Sequence, residues 1–138
     1  MAVPVRHLVL DNEAVSSLLV TAPGHAKRAQ VLEAIMAANG RTVVPTAVRC
    51  EALLDRTQPA SAAANLHVRD DDALDASAAD RNVQLRKVVP AASLVDASVV
   101  VSAERLPGGD VVEILTSDPG DITELAGHTA VAVDVHTL

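Results

Sequence analysis

The chain has 138 residues, a length typical of one domain, and we interpret 1–138 as a single domain. Phe, Trp and Tyr are all absent, which excludes recognition that stacks bases on aromatic rings or cages a cation between them. The formal charge of −7 argues against a nucleic-acid partner unless several of the 18 acids converge on a metal site.

Cysteine content and hydropathy bear on the compartment. The single cysteine, Cys50, excludes an internal disulfide framework and a cysteine-rich zinc site, and it suits a reducing environment. The apolar stretch 3–10 is short and interrupted by charge, and no segment offers about 18 uninterrupted apolar residues. We therefore expect a soluble, cytoplasmic protein that does not enter a membrane.

The pattern of apolar residues predicts strands that alternate with helices. Strands are expected at 5–10, 42–45, 111–115 and 130–135, with a further candidate at 66–68. Helices are expected at 12–20, 25–39, 46–56, 69–85, from Ser93 to before Pro107, and at 119–126. Turns are expected at 21–24 and 107–110, and the segment 57–65 fits either a loop or a short helix.

Several helix starts carry residue types that cap helices. Asn12, Thr46 and Ser93 are candidate N-caps, and Ser93 with Asp96 has the spacing of a capping box. The acidic run 70–72 is interpreted as a solvated helix start, because acidic side chains favour the positive end of the helix dipole.

Valine-rich strands that alternate with helices are typical of a parallel sheet covered on both faces. We therefore predict an α/β domain with three layers, α/β/α, around a mainly parallel sheet of four or five strands.

Two acids lie where such a sheet binds ligands, at the carboxyl ends of its strands, and two more lie on helices. Asp11 directly follows the first strand and Asp118 follows the strand at 111–115. Glu51 and Asp96 lie on helices that are able to approach the same edge. Carboxylates and water are the ligands that Mg²⁺ and Mn²⁺ prefer, so the four acids are a candidate metal site.

Each acid also has a purely structural interpretation. Asp118 fits an N-cap, Asp96 the acid of the capping box, Glu51 an exposed helix charge, and Asp11 a turn residue at a strand end. The residues alone leave both interpretations open.

Four segments in order along the chain resemble the conserved blocks of PIN-domain proteins, and more narrowly of the VapC-type toxins of toxin–antitoxin pairs. They are Leu8-Val9-Leu10-Asp11, Val44-Pro45-Thr46-Ala47-Val48-Arg49-Cys50-Glu51-Ala52-Leu53, Leu94-Val95-Asp96-Ala97-Ser98-Val99-Val100 and Leu115-Thr116-Ser117-Asp118-Pro119-Gly120-Asp121. The resemblance covers essentially the whole chain.

The resemblance implies a metal-dependent endoribonuclease that uses Mg²⁺ or Mn²⁺ and a metal-activated water to cleave RNA. The matching catalytic and metal-binding acids are Asp11, Glu51, Asp96 and Asp118, and Asp121 matches a further metal-binding acid. Thr116 is a candidate for orienting a carboxylate or a metal-bound water. The resemblance also implies a small antitoxin as partner, and a homodimer.

Departures from the family pattern, among them Ile122 where an aromatic residue often follows the last acid, keep a second function open. Glu13 stands where the family commonly has Ser or Thr, and the segment 57–79 matches poorly. The alternative is a catalytically inactive PIN-like module that binds RNA or a protein. A phosphoacceptor signalling domain is a weaker alternative, because the chain lacks the lysine near a late strand that such domains use.

The five histidines are scattered and none forms a His-x-x-x-His pair, which argues against a zinc or iron centre.

Overall fold

The computed structural model describes residues 3–19, 25–68 and 70–138. Its sheet contains five strands, all parallel, in the spatial order β3-β2-β1-β4-β5. The strands are β1 (Arg6–Leu10), β2 (Thr42–Pro45), β3 (Asp70–Asp72), β4 (Val111–Thr116) and β5 (Val133–Thr137).

Seven α-helices lie within these described ranges, together with a short 3₁₀ helix at Pro59–Ser61. The helices are α1 (Asn12–Leu18), α2 (His25–Ala37), α3 (Thr46–Ala52), α4 (Ala62–His67), α5 (Ala76–Val88), α6 (Leu94–Glu104) and α7 (Pro119–Ala126). None of these helices is long and apolar enough to cross a membrane.

The strand order produces the three layers that the sequence predicts. Parallel neighbours need crossover connections, and such crossovers are almost always right-handed. The chain steps outward from β1 to β2 and β3, then returns to β4 and continues to β5. Helices of the first two connections therefore cover one face of the sheet, and α5, α6 and α7 cover the other. The predicted α/β/α fold is confirmed.

Among the described residues, the buried apolar side chains are all Ala, Val, Leu or Ile. In the middle strand, Leu8, Val9 and Leu10 are completely buried, because helices cover both faces of β1. Helix α6 is buried along 97–103, where small and β-branched side chains let it lie close to the sheet. Small side chains thus replace the aromatic ones that the chain lacks.

The predicted helix start at Asp70–Asp72 is wrong, because these residues form the edge strand β3. Arginines neutralise the acidic run: Asp70 pairs with Arg41, Asp71 with Arg49 and Arg56, and Asp72 with Arg105. The helix begins later, at Ala76, with Asp75 as its N-cap. Charged side chains on an edge strand also oppose pairing with another chain.

The segment between α3 and β3 differs from the prediction in two further ways. Helix α3 ends at Ala52 and not at 56, because Leu53 adopts a left-handed conformation with φ of 58°. The strand predicted at 66–68 is wrong, since α4 continues to His67. The undecided segment 57–65 is largely the 3₁₀ helix and the start of α4.

Two of the three predicted caps are also wrong. Asp11, and not Asn12, is the N-cap of α1, and its carboxylate accepts from the Asn12 amide. Thr46 makes no capping bond, because its hydroxyl accepts from the Leu74 amide instead. Ser93 caps α6 as predicted, accepting from the Asp96 amide at 3.0 Å.

The remaining elements lie within a few residues of their predicted bounds. The largest shift is in β5, which begins at Val133 and ends at Thr137. The turn before β4 is present as predicted, and Gly109 adopts a positive φ of 90° there. The predicted turn at 21–24 and the last predicted residue of the first helix, Val20, lie outside the described residues.

Candidate metal centre

The chain adds β2 and β3 on one side of β1 and then β4 and β5 on the other side, so the order of strands reverses between β1 and β4. In open α/β sheets, ligands bind in the crevice at such a switch point, beyond the carboxyl ends of the strands. Asp11 directly follows β1, and Ser117 and Asp118 directly follow β4. The topology therefore brings Asp11 and Asp118 to one edge of the sheet, as their positions after strands predict.

Thr116 links the ends of these two strands. Its side chain is completely buried, and its hydroxyl donates to Asp11 Oδ2 at 2.6 Å. The same hydroxyl oxygen accepts from the Asp118 amide at 3.0 Å. The other Asp11 oxygen, Oδ1, accepts from the Asn12 amide at 2.7 Å. Both oxygens of the buried Asp11 carboxylate are thus held in fixed positions.

Three of the predicted acids form a compact group at this edge. Asp96, Asp118 and Asp121 each offer one carboxylate oxygen, and these oxygens all lie within 4.8 Å of one another. Asp96 lies in the first turn of α6, and the other two lie at the start of α7. This is an acidic group able to hold a metal ion.

A capping role does not account for the position of the Asp118 side chain. Asp118 occupies the N-cap position of α7, but its side chain makes no capping hydrogen bond. At the start of α6, the cap is supplied by the Ser93 hydroxyl, with the Asp96 amide as donor. The carboxylates of Asp96 and Asp118 nevertheless lie with Asp121 in one acidic group, which the capping roles alone do not explain.

The local electrostatics are strongly negative. Burial, as the largest cause, and the negative charges of Asp11, Asp118 and Asp121 together raise the pKa of Asp96 from 3.8 to about 6, against the opposing effect of a hydrogen bond with Ser93. Within the described ranges, none of these four acids forms a salt bridge with Lys or Arg. Carboxylates gathered without a compensating cation are the donor set that Mg²⁺ or Mn²⁺ prefers.

Helix N-termini partly offset this repulsion. Asp11 caps α1, Asp96 lies in the first turn of α6, and Asp118 with Asp121 starts α7. The N-terminal end of a helix carries partial positive charge, which stabilises nearby carboxylates. Three helix starts thus help the fold to tolerate four acids close together.

Glu51 stands apart from the other predicted acids. It lies in the last turn of α3, is exposed, and accepts from the Asn12 side chain at 3.1 Å. Asn12 directly follows Asp11, so Glu51 borders the site through Asn12 but is not in the group of Asp96, Asp118 and Asp121. The sequence predicts only a capping role for Asn12, although its position beside Asp11 is a signal that it lies near the site.

Glu13, which departs from the family pattern, forms an ion pair away from the acidic group. Its carboxylate accepts from Lys27 Nζ at 2.9 Å, which ties α1 to α2. Both side chains are more than two-fifths exposed. Glu13 is thus engaged by a lysine rather than by the acidic group.

Comparison with models of known protein families and with curated protein sequences finds no match for this chain.

Proposed function

We propose that the chain is a PIN-type, metal-dependent endoribonuclease. The observation that carries this proposal is the convergence of Asp96, Asp118 and Asp121, with Asp11 beside them, at the switch point of a parallel sheet. The order of the acids along the chain, and the segments around them, resemble the PIN-domain pattern.

The residues of the site fit a divalent cation held through oxygen atoms. Asp11, Asp96, Asp118 and Asp121 would hold Mg²⁺ or Mn²⁺, and the bound cation would activate water and neutralise charge on an RNA phosphate. Thr116 acts through Asp11, because its hydroxyl fixes one oxygen of that carboxylate. Asp96, with a pKa of about 6, is the acid whose proton a cation would have to displace below neutral pH.

The substrate must be held without base stacking on aromatic side chains. RNA would therefore be bound through its phosphates and shape, with the cation providing positive charge at the cleavage position. If four acids belong to the site, 14 acids and 11 bases remain, which leaves a balance of −3 over the rest of the chain. The overall charge of −7 is then partly a property of one site.

An RNA cleavage assay tests the proposal. Purified protein is incubated with labelled single-stranded and hairpin RNA in Mn²⁺, and the product ends are analysed. We expect cleavage that leaves a 5′-phosphate, and a loss of at least about 100-fold in Asp96→Asn, since a metal site supplies several kcal/mol of charge stabilisation. Asp80→Asn is the control, because Asp80 is exposed on α5, which carries none of the site acids. Equal cleavage by wild type and Asp96→Asn would refute the proposal.

We further propose that the nuclease is a VapC-type toxin that a small antitoxin neutralises. This part rests on the resemblance of the four sequence segments. Expression of the chain alone should arrest growth, and Asp96→Asn should abolish the arrest. A short neighbouring reading frame for a DNA-binding protein, whose co-expression restores growth, would identify the antitoxin.

A homodimer is the third part of the proposal. Val83 and Val88 on α5 and Leu94 at the start of α6 are large apolar side chains that remain two-fifths to three-fifths exposed. Light scattering should report twice the monomer mass, and Val88→Lys should shift the protein toward monomer if this surface is the interface.

One observation favours the alternative of an inactive binding module. Glu51 lies outside the group of Asp96, Asp118 and Asp121, and its carboxylate accepts a hydrogen bond from the Asn12 side chain. A module of this kind would hold RNA or a protein without cleaving RNA. The cleavage assay separates the two functions, because the module should give no product in any Mn²⁺ concentration while still retaining its partner.

A further inference from the structure

We propose that Glu113, Asp134 and His136 form a second cation site, of the class that binds Zn²⁺. One ligand atom from each of these residues lies within 4.8 Å of the other two. Asp134 and His136 are exposed, and Glu113 is partly buried. This inference does not depend on the proposed nuclease function, because the three residues are separate from the acids at the switch point.

Strand register places the three side chains on one face of the sheet. Glu113 of β4 is directly opposite Asp134 of β5, and the next position on that face pairs Leu115 with His136. Side chains two residues apart on a strand share a face. The scattered histidines of the sequence argue against a zinc centre. The pairing of β4 with β5, however, brings His136 beside Glu113, which is distant in sequence, and beside Asp134, two residues earlier on the same strand.

The opposition of Glu113 and Asp134 leaves a negative charge that a cation would neutralise. Like charges directly opposite each other on neighbouring strands are destabilising. Arg6 compensates Glu113, with 2.7 Å between Nη1 and Oε1, whereas Asp134 has no salt bridge within the described part of the chain. A divalent cation bound by both carboxylates would remove the repulsion.

Helix α2 contributes two polar residues to the groove beside this group. Gln30 and Glu33 line the same groove as Glu113 and His136. The Gln30 side chain also donates to the Thr137 carbonyl at 3.2 Å, which fixes α2 against β5. Glu33 lines this groove but is not a member of the three-residue group, so we expect water to fill the fourth position of a bound cation.

The donor set selects the class of cation. Imidazole nitrogen suits Zn²⁺ and its neighbours in the transition series, whereas sites made only of carboxylate and water suit Mg²⁺ and Mn²⁺. Zinc is commonly four-coordinate, and an open site has three protein ligands with water in the fourth position. His136 thus distinguishes this site from the all-carboxylate group at the switch point.

Binding would require Arg6 to release part of its contact with Glu113. The Arg6 side chain is half exposed, and ion pairs of this kind contribute little to stability. A cation held by three protein ligands would compensate for that loss, and it would fasten β5, the edge strand, to β4.

Calorimetric titration with ZnCl₂ tests the site. Every protein carries Asp96→Asn, which removes a carboxylate from the first site and leaves the second intact. We expect one Zn²⁺ per chain in this background, and at least about a 10-fold lower affinity when His136→Ala or Asp134→Asn is added. His128→Ala is the matched control and should leave the affinity unchanged, because His128 is exposed and outside the group.

Two further measurements make the result decisive. Circular dichroism in EDTA should show that the two site variants fold like their parent. Co²⁺ in place of Zn²⁺ should give visible absorption bands that weaken in His136→Ala. The absence of Zn²⁺ binding in the parent, or equal Zn²⁺ affinity in the parent and both site variants, would overturn the proposal, whatever the result of the RNA assay.

Discussion

The Thr116 hydroxyl donates to Asp11 Oδ2 at 2.6 Å, between the ends of the neighbouring strands β4 and β1 at the switch point of the sheet. Both residues are buried, so neither group can turn to bulk water. The bond therefore joins the stability of the fold to the geometry of the acidic site.

The first prediction concerns this bond. Thr116→Val keeps the shape of the side chain but leaves a buried carboxylate without one of its donors, which costs about 1–3 kcal/mol. Urea denaturation should show that loss, and Mn²⁺-dependent RNA cleavage should fall at least about 10-fold, as for other residues that orient a ligand. Thr116→Ser keeps the hydroxyl and should retain most of the cleavage. Equal RNA cleavage by Thr116→Val and wild type would contradict a positioning role for Thr116.

The second prediction concerns the pH dependence of stability without metal. The pKa of Asp96 is about 6 in the folded chain and 3.8 when unfolded, so the folded state binds the proton more tightly. The free energy of unfolding should therefore decrease as pH rises from about 4 to about 6. Because Asp96 is only half-buried, solvent screening limits the decrease to about 1 kcal/mol.

The measurement is a series of urea denaturation curves in EDTA at pH 4 to 7. Asp96→Asn cannot titrate, so the difference between wild type and this variant should grow with pH through that window. Adding Mn²⁺ at pH 7 should stabilise wild type more than the variant. A difference that stays constant with pH would show that the pKa of Asp96 is not raised in the folded chain.

The third prediction concerns Glu13, where the family pattern has a hydroxyl residue. Since Lys27 engages the Glu13 carboxylate, Glu13→Ser should change RNA cleavage less than about threefold. Both side chains are well exposed, so the free energy of unfolding should change by no more than about 1 kcal/mol. Cleavage that rises 10-fold or more in Glu13→Ser would mean instead that Glu13 obstructs the site.

The fourth prediction concerns Gly40, which lies near the amino-terminal ends of β1 and β2, away from the acidic site. A Cβ atom there would lie 2.5 Å from His7 Nδ1 and 2.8 Å from the Arg6 carbonyl oxygen. His7 is buried: its Nδ1 accepts from the Arg41 amide, and its Nε2 lies 2.7 Å from Asp110 Oδ2. It cannot move away without breaking both hydrogen bonds.

Gly40→Ala should therefore destabilise the fold by about 1–3 kcal/mol, the usual cost of overpacking. Gly108→Ala is the matched control, because a Cβ atom at Gly108 would meet nothing within 4 Å. Its effect should stay within about 0.5 kcal/mol. Thermal denaturation of the two variants checks the prediction, and equal melting temperatures would contradict it.

The sequence predicts the sheet well, because its buried strands are continuous apolar runs bounded by Asp, Pro or Gly. It predicts the neighbourhood of Asp11 and Asp118 for the same reason, since both residues follow such runs. It does not predict β3, because Asp70–Asp72 has the composition of a loop or a helix start. That strand forms through tertiary ion pairs with arginines from distant segments.

Side-chain positions on helices were harder to predict than strand ends. Glu51 matches the sequence pattern, yet Leu53 ends α3 one turn early and Glu51 lies beside Asn12. Glu113, Asp134 and His136 could not be grouped from the sequence, because their proximity depends on the register between β4 and β5. Spacing along the chain carries no information about that register.

The central claim is that the carboxylates at the switch point act together as one divalent-cation site. Calorimetric titration of the His136→Ala chain with Mn²⁺ tests it directly, since this background weakens the second proposed site. We expect saturable Mn²⁺ binding in this chain. Asp96→Asn and Asp118→Asn should each weaken the binding at least about 10-fold, and Asp80→Asn should leave it unchanged. Mn²⁺ binding that is absent, or equal in all four proteins, would contradict it.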